Sequence, residues 1–261
     1  MLPDFEMIIH KFPERQDITI IPLADVHLGA RECMEQEFIS FIDSIKDKPN
    51  VYLVLGGDLI NNATRSSVSN IFEEVMRPSD QKKEMAKILA PVAHKILAAV
   101  SGNHERRSSK DVDDDPTYDI LCKIDREEIY RENMAFVKLQ FGELNGAGER
   151  NPTYVLCLTH GAGGGQLTSG AVLKGERFGY AVDGMDALII GHTHKPFTTQ
   201  PGKIVIDKQN NKVTIKPFKV INMTSWMEYS GYAMQKMLLP NAHCLHTLTL
   251  RGTRKEMVVT M

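Results

Sequence analysis

The sequence predicts an α/β fold built on a parallel sheet. Three observations carry this. Short apolar runs recur at Ile18–Leu23, Val51–Leu55, Ile96–Val100, residues 153–160 and Ala187–Ile190. Runs of that length suit strands buried on both faces. A segment of helical spacing separates the first two, giving a βαβ unit. Each run then stops at polar residues, where open α/β sheets place their sites.

The elements follow in order. Residues 1–17 are mixed and read as a short strand or arm. Ile18–Leu23 is the first strong strand and runs into Asp25-Val26-His27. Residues two apart on an extended segment point the same way, so Asp25 and His27 can face one ion. Taken alone, they read better as a cap and a surface histidine. Residues 34–47 carry Met34, Phe38, Ile39, Phe41, Ile42 and Ile45 at helical spacing, and Pro49 follows. Val51–Leu55 ends at Gly56-Gly57-Asp58, where the glycines allow a sharp turn and a close approach of backbone to ligand. Asn61 and Asn62 suit a helix cap or a substrate contact.

Residues 81–95 read as a helix that Pro91 divides. Ile96–Val100 ends at Gly102-Asn103-His104-Glu105-Arg106-Arg107, read as a loop. The aspartates of 110–116 read as a solvated linker, residues 118–130 as a helix and 136–141 as a half-buried strand. Residues 142–152 form a turn-rich loop. The run 153–160 ends in His160 and a glycine-rich loop that lacks the Gly-Lys-Ser/Thr of a nucleotide-binding P-loop. Ala187–Ile190 ends at Gly191-His192-Thr193-His194. Two hairpins close the chain, 203–216 and 246–260.

Composition bounds the function. A chain of 261 residues, 42% hydrophobic and 25% charged, can build a full core, and we expect a single domain over 1–261. A net charge of -2 argues against reliance on non-specific attraction to nucleic acid. The four cysteines, Cys33, Cys122, Cys157 and Cys244, are scattered and read as reduced and mostly buried. The first residues do not read as a signal peptide, and no apolar stretch spans a bilayer. A cytoplasmic protein without membrane contact is expected; a homo-oligomer is left open.

Five strand ends thus carry Asp25 and His27, Asp58, Asn103 and His104, His160, and His192 and His194. Each signal is weak alone, but all five follow an apolar run and are expected to converge on one sheet edge. The donors are oxygen or imidazole, with no thiolate. They suit two divalent ions, manganese first, with iron or zinc as alternatives. Such a pair clamps a phosphoryl group.

The set Asp25-x-His27, Gly57-Asp58, Gly102-Asn103-His104-Glu105, His160 and Gly191-His192-x-His194 resembles the calcineurin-like metallophosphoesterase superfamily over nearly the whole chain. The resemblance implies a four-layered α/β/β/α sandwich. It implies one ion on Asp25, His27, Asp58 and His194, and a second on Asp58, Asn103, His160 and His192. His104 then stabilises the transition state and protonates the leaving oxygen, while a hydroxide held by the ions attacks phosphorus in line. Glu105 stands where an aspartate is commoner and is expected to orient His104.

The substrate is expected to be a phosphodiester of nucleic acid or of a nucleotide, with a nuclease of the DNA-repair exonuclease branch in front. A phosphatase of small phosphomonoesters and a non-catalytic scaffold are the rivals. Arg65, Arg106 and Trp226 are the candidate substrate contacts, the last by stacking on a base. Residues 106–150 are the candidate specificity insertion.

Overall fold

The apolar runs become strands of two sheets rather than one. A computed structural model describes residues 3–65, 67, 71–143, 151–163, 165 and 167–261. In chain order the first half holds β1 (Ile8–Phe12), β2 (Ile18–Leu23), α1 (Glu35–Ile45), β3 (Val51–Leu55), α2 (Pro78–Leu89), β4 (Ile96–Val100), α3 (Glu105–Val112), α4 (Pro116–Cys122), β5 (Tyr130–Arg131) and β6 (Met134–Phe141). The second half holds β7 (Thr153–Thr159), α5 (Thr168–Ala181), β8 (Ala187–Ile190), β9 (Phe197–Thr199), β10 (Gly202–Asp207), β11 (Lys212–Pro217), β12 (Lys219–Asn222), α6 (Gly231–Gln235), β13 (Thr247–Leu250) and β14 (Met257–Thr260).

One six-stranded sheet runs β14-β13-β2-β3-β4-β5, the other β1-β6-β7-β8-β12-β9. The steps β2-β3-β4-β5 are parallel, as are β7-β8-β12. The two sheets meet where β4 packs on β6 and β7. Helices α1 and α2 pack on each other and on the 3-10 segment Ala90–Lys95, which packs on β3 and β4 of the first sheet, and α5 packs on β8, β9 and β12 of the second. The layers are therefore helix, sheet, sheet, helix. In α1 the buried residues Phe38, Ile42 and Ile45 fall on one stripe, which is why the segment is helical and lies on the sheet.

Several expectations need correction. Residues 105–112 form helix α3 and not a loop, so Arg106 and Arg107 stand on its first turn. The helix read over 118–130 is shorter: α4 ends at Cys122, and the chain reaches β5 through a 3-10 turn at Glu127–Ile129. Within 106–150, β5 pairs with β4 and β6 with β7; residues 144–150 lie outside the described ones. The hairpin over 246–260 is joined to the first sheet through β13 and β2, whereas β10–β11 stands as a separate pair.

Helix α5 gave no readable signal because glycines sit on its buried face. A Cβ on Gly175 would strike Val220, and one on Gly179 would strike Phe218. The helix lies close against β12 only because those side chains are missing. No helix among the described residues is long and apolar enough to cross a membrane.

Candidate metal centre

The ligand candidates sit just past the carboxyl ends of β2, β3, β4, β7 and β8, so both sheets feed one site. The chain turns abruptly at each end. Asp25, His27, Asp58, His192 and His194 all take left-handed backbone conformations, with φ between 51° and 69°. Non-glycine residues pay for that conformation only where surrounding structure enforces it, and such residues cluster at functional sites.

Glycine makes the closeness possible. Gly57 has φ 84°, and a Cβ there would land on the Gly102 backbone. A Cβ on Gly102 would land on the Asp58 carboxylate. The β3 and β4 ends therefore touch backbone to backbone.

The side chains meet in three overlapping groups: Asp25, His27 and His194; His27, Asp58 and His104; Asp58, His160 and His192. Within each, the ligand atoms lie within 4.8 Å of one another. Asp58 belongs to two of them. Its Oδ2 is 3.3 Å from His160 Nε2, 3.8 Å from His104 Nε2 and 3.9 Å from His27 Nε2. Its Oδ1 accepts the His104 amide at 2.8 Å. Asn103 joins the third group: its Oδ1 is 2.6 Å from His192 Nδ1 and 2.9 Å from His160 Nε2.

Two observations show that the donor set fits cations. Among the described residues, buried Asp25 Oδ1 accepts no hydrogen bond, although His194 Nε2 stands 3.3 Å away. His27 Nε2 and His194 Nε2 face each other at 3.2 Å, and His192 Nδ1 and His160 Nε2 do the same at 3.2 Å. Imidazole nitrogens and carboxylate oxygens converging without thiolate are the donors of a divalent centre.

Electrostatics follow from burial. Burial disfavours a charged Asp58, but His160 and then His104 outweigh it and hold its carboxyl well below the usual range. Burial and the His104 charge hold His27 well below its ordinary value, keeping the ring neutral. His160 goes the other way: Asp58 outweighs burial and pushes it up to about 9. Its Nδ1 faces the Gly56 carbonyl at 2.8 Å, which fixes Nε2 as the atom turned to Asp58.

The residues around His104 differ from expectation. Glu105 does not orient His104. It is fully buried, and its two oxygens accept the amides of Asp58, Leu59, Ile60 and Gly102 at 2.6–3.3 Å. His104 Nδ1 instead bonds the Asn61 carbonyl at 2.8 Å, and Arg107 Nη2 stands 3.0 Å from its Nε2. Asn62 is buried and donates to the His104 carbonyl and to Ser108 Oγ, tying the β3 loop to α3. Asn222 donates to Thr193 Oγ1 and the Lys195 carbonyl, holding the His192–His194 loop. No motif flags Asn222, because a single asparagine at a strand end is common.

The expected substrate contacts separate. Trp226 is 2% exposed and packs on Phe38 and Phe41, so it presents no stacking face. Arg106 turns to the Ser101 and Glu132 carbonyls. Arg65 is exposed.

A family model for calcineurin-like phosphoesterase matches residues 18–196, and the chain belongs to that family. It is a metal-dependent phosphoester hydrolase, and the His and Asp groups point to a divalent centre. No curated protein sequence matches the chain. Among solved structures, it is similar to a conserved uncharacterized protein, a predicted phosphoesterase, from Streptococcus pneumoniae TIGR4. That match has 11% identity and TM-score 0.39 over 93% of this chain and 88% of the other. It is also similar to an NAD nucleotidase from Haemophilus influenzae, at 8% identity and TM-score 0.41. That match covers 94% of this chain and 49% of the nucleotidase, so the chain spans about half of that protein.

Proposed function

We propose that the centre holds two divalent ions, manganese first, and that the chain hydrolyses phosphodiesters of nucleotides or of single-stranded nucleic acid. The observation that carries the two-ion reading is the position of Asp58, whose carboxylate lies between the Asp25 side and the His160 side of the cluster. Asp25, His27, Asp58 and His194 would hold one ion, and Asp58, Asn103, His160 and His192 the other. Bound there, the ions would supply Lewis-acid charge and a water acidic enough to attack at neutral pH.

The chain's own residues do the rest. The two sheets fix the donors, and the left-handed turns aim them inward. His104, its side chain 16% exposed, reaches the cluster with Nε2 3.8 Å from Asp58 Oδ2. There its Nε2 can take up the proton that the attacking water releases and pass it to the leaving oxygen as the P–O bond breaks. The balance is simple: water adds to phosphorus, the ester oxygen departs, and the water's proton ends on it.

The nucleotide reading is supported by the loop that follows Asp58. Arg65 is exposed and Phe72 is 90% exposed. The loop is anchored beside the site, since Asn61 donates to Glu74 and its carbonyl holds His104. A cation and an aromatic face are what contact a nucleotide's phosphate and base.

The test is a panel with manganese added: bis-p-nitrophenyl phosphate, p-nitrophenyl phosphate, a cyclic nucleotide and single-stranded DNA. Hydrolysis of the diesters, abolished by chelator, is expected. Turnover of the monoester alone would make the protein a phosphatase. Turnover of none would leave a binding scaffold.

A further inference from the structure

Arg107 lies one turn into α3, three residues beyond His104. Its Nη2 is 3.0 Å from His104 Nε2, and its Nη1 donates to the Asn61 carbonyl at 3.3 Å. The same carbonyl faces His104 Nδ1 at 2.8 Å. A guanidinium has donors only and a carbonyl is acceptor only. His104 therefore carries its proton on Nδ1 and presents a lone pair at Nε2 to Arg107. That Nε2 is itself 3.8 Å from Asp58 Oδ2, so the guanidinium stands one imidazole edge from the shared carboxylate.

Two other basic residues adjoin the ligand loops, and both are spent on backbone. Arg106 holds the Ser101 and Glu132 carbonyls. Lys195 Nζ, on a buried residue, donates to the Gly165 carbonyl. Among the described residues, the hydrogen-bond partners of Arg107 are the neutral His104 ring and the neutral Asn61 carbonyl. Asp58, Glu105 and Glu74 attract its charge from a distance, but among the described residues its hydrogen bonds go to no carboxylate, and its planar fork matches phosphoryl oxygens.

We propose that Arg107 is a substrate-contacting residue of this centre. Its guanidinium passes from His104 Nε2 to a non-bridging phosphoryl oxygen when substrate binds. The move pairs the phosphoryl charge and uncovers the Nε2 that faces the leaving oxygen. This rests on the phosphoester-hydrolase reading above and names the residue that recognises the phosphoryl group. Its position past the Asn-His-Glu segment also separates it from Arg65, on the other side of Asn61.

The experiment compares wild type with R107A, each loaded with manganese and checked for metal content and thermal midpoint. Inorganic phosphate is the probe, followed by calorimetry and by competition against bis-p-nitrophenyl phosphate. R107A is expected to keep its metal and to bind phosphate about tenfold to a hundredfold more weakly, the worth of one hydrogen bond to a charged group. KM should rise with it. Phosphate affinity within twofold of wild type, with metal retained, overturns the proposal and leaves Arg107 as a brace for the Asn61 loop. If R107A sheds metal, R107K decides: it keeps the charge but not the fork. Affinity several-fold below wild type is expected, and wild-type affinity overturns the proposal. Metal-loaded wild type that binds no phosphate overturns both this inference and the function it rests on. A wild type that hydrolyses diesters while R107A binds phosphate equally well overturns this inference alone.

Discussion

Glu105 Oε2 accepts the Asp58 amide at 2.9 Å, although the two carboxylates belong to different strand ends. Its other oxygen takes the Leu59 amide at 2.6 Å. The buried acid thus holds the backbone that carries the shared ligand and does not touch the His104 ring. Burial first, and then the Asp58 charge, push its carboxyl up to about 7 in the metal-free chain.

That relationship sets a pH dependence for the metal-free protein. The folded value lies above the ordinary 4.5, so the native state binds an extra proton between about 4.5 and about 7. Stability from this group therefore falls as pH rises through that window. E105Q removes the titration, and its amide group presents donors to backbone amides that need acceptors. It is expected to be less stable by about 1–3 kcal/mol, with a flatter midpoint across that window. Thermal melts of both proteins from pH 4.5 to 7.5 check it; parallel slopes would remove Glu105 as the cause.

His160 gives a second window of the same sign at higher pH. Its folded value, up to about 9, lies above the ordinary 6.5 because Asp58 outweighs burial. In the metal-free chain its contribution is complete below about 6.5 and is lost as pH rises through 9. A metal needs the neutral ring, so binding must displace that proton. Manganese affinity is expected to climb from pH 6.5 to 9. Calorimetry near pH 7.5, in two buffers of different ionisation heat, should report proton release. Identical heats would show that His160 is not displaced.

Much of this centre was legible in the sequence, for a physical reason. Asp25, Asp58, Asn103, His160 and His192 each follow an apolar strand, and strand ends in such sheets converge. What the strands could not show was that they belong to two sheets. β4 lies between two parallel neighbours while β7 pairs antiparallel with β6 and parallel with β8, and nothing in their residues says which neighbour each will take. Helix α5 was hidden because Gly175 and Gly179 serve packing against Val220 and Phe218, while glycine in sequence reads as loop. Trp226 was misplaced because a tryptophan between polar residues reads the same whether its ring faces solvent or Phe38. Arg107 and Arg106 are adjacent and chemically identical, and only the first turn of α3 sends one to His104 and the other to the Ser101 carbonyl.

Replacing ligands separates binding from turnover. D58N removes the shared charge and is expected to lose bound metal and hydrolysis of bis-p-nitrophenyl phosphate together. His104 is the informative contrast, since its geometry groups it with His27 and Asp58 while its proposed role is proton donor. H104A is expected to keep both ions and lose about 10²–10⁴-fold in rate, the usual worth of a general acid. Metal analysis beside initial rates checks it. Loss of an ion in H104A would place His104 among the ligands instead.

The burial of Trp226 separates a core residue from a base-stacking one. It packs edge-on against Phe38 at 5.0 Å between ring centres and lies against Phe41 and His243. Its indole nitrogen finds no hydrogen-bond partner among the described residues, so the site uses the ring's bulk and not its polar edge. W226F gives up little beyond volume, and it removes a buried donor that is already unsatisfied. W226A leaves a large void and is expected to cost about 3–5 kcal/mol. The Trp226 amide donates to the Asp25 carbonyl at 3.0 Å, so collapse of this cluster would also loosen a ligand loop. W226F should therefore keep KM for nucleotide and non-nucleotide diesters alike, while W226A loses stability and metal together. Denaturant melts and a two-substrate KM comparison check this. A rise in KM confined to the nucleotide in W226F would restore the ring as a contact for bases.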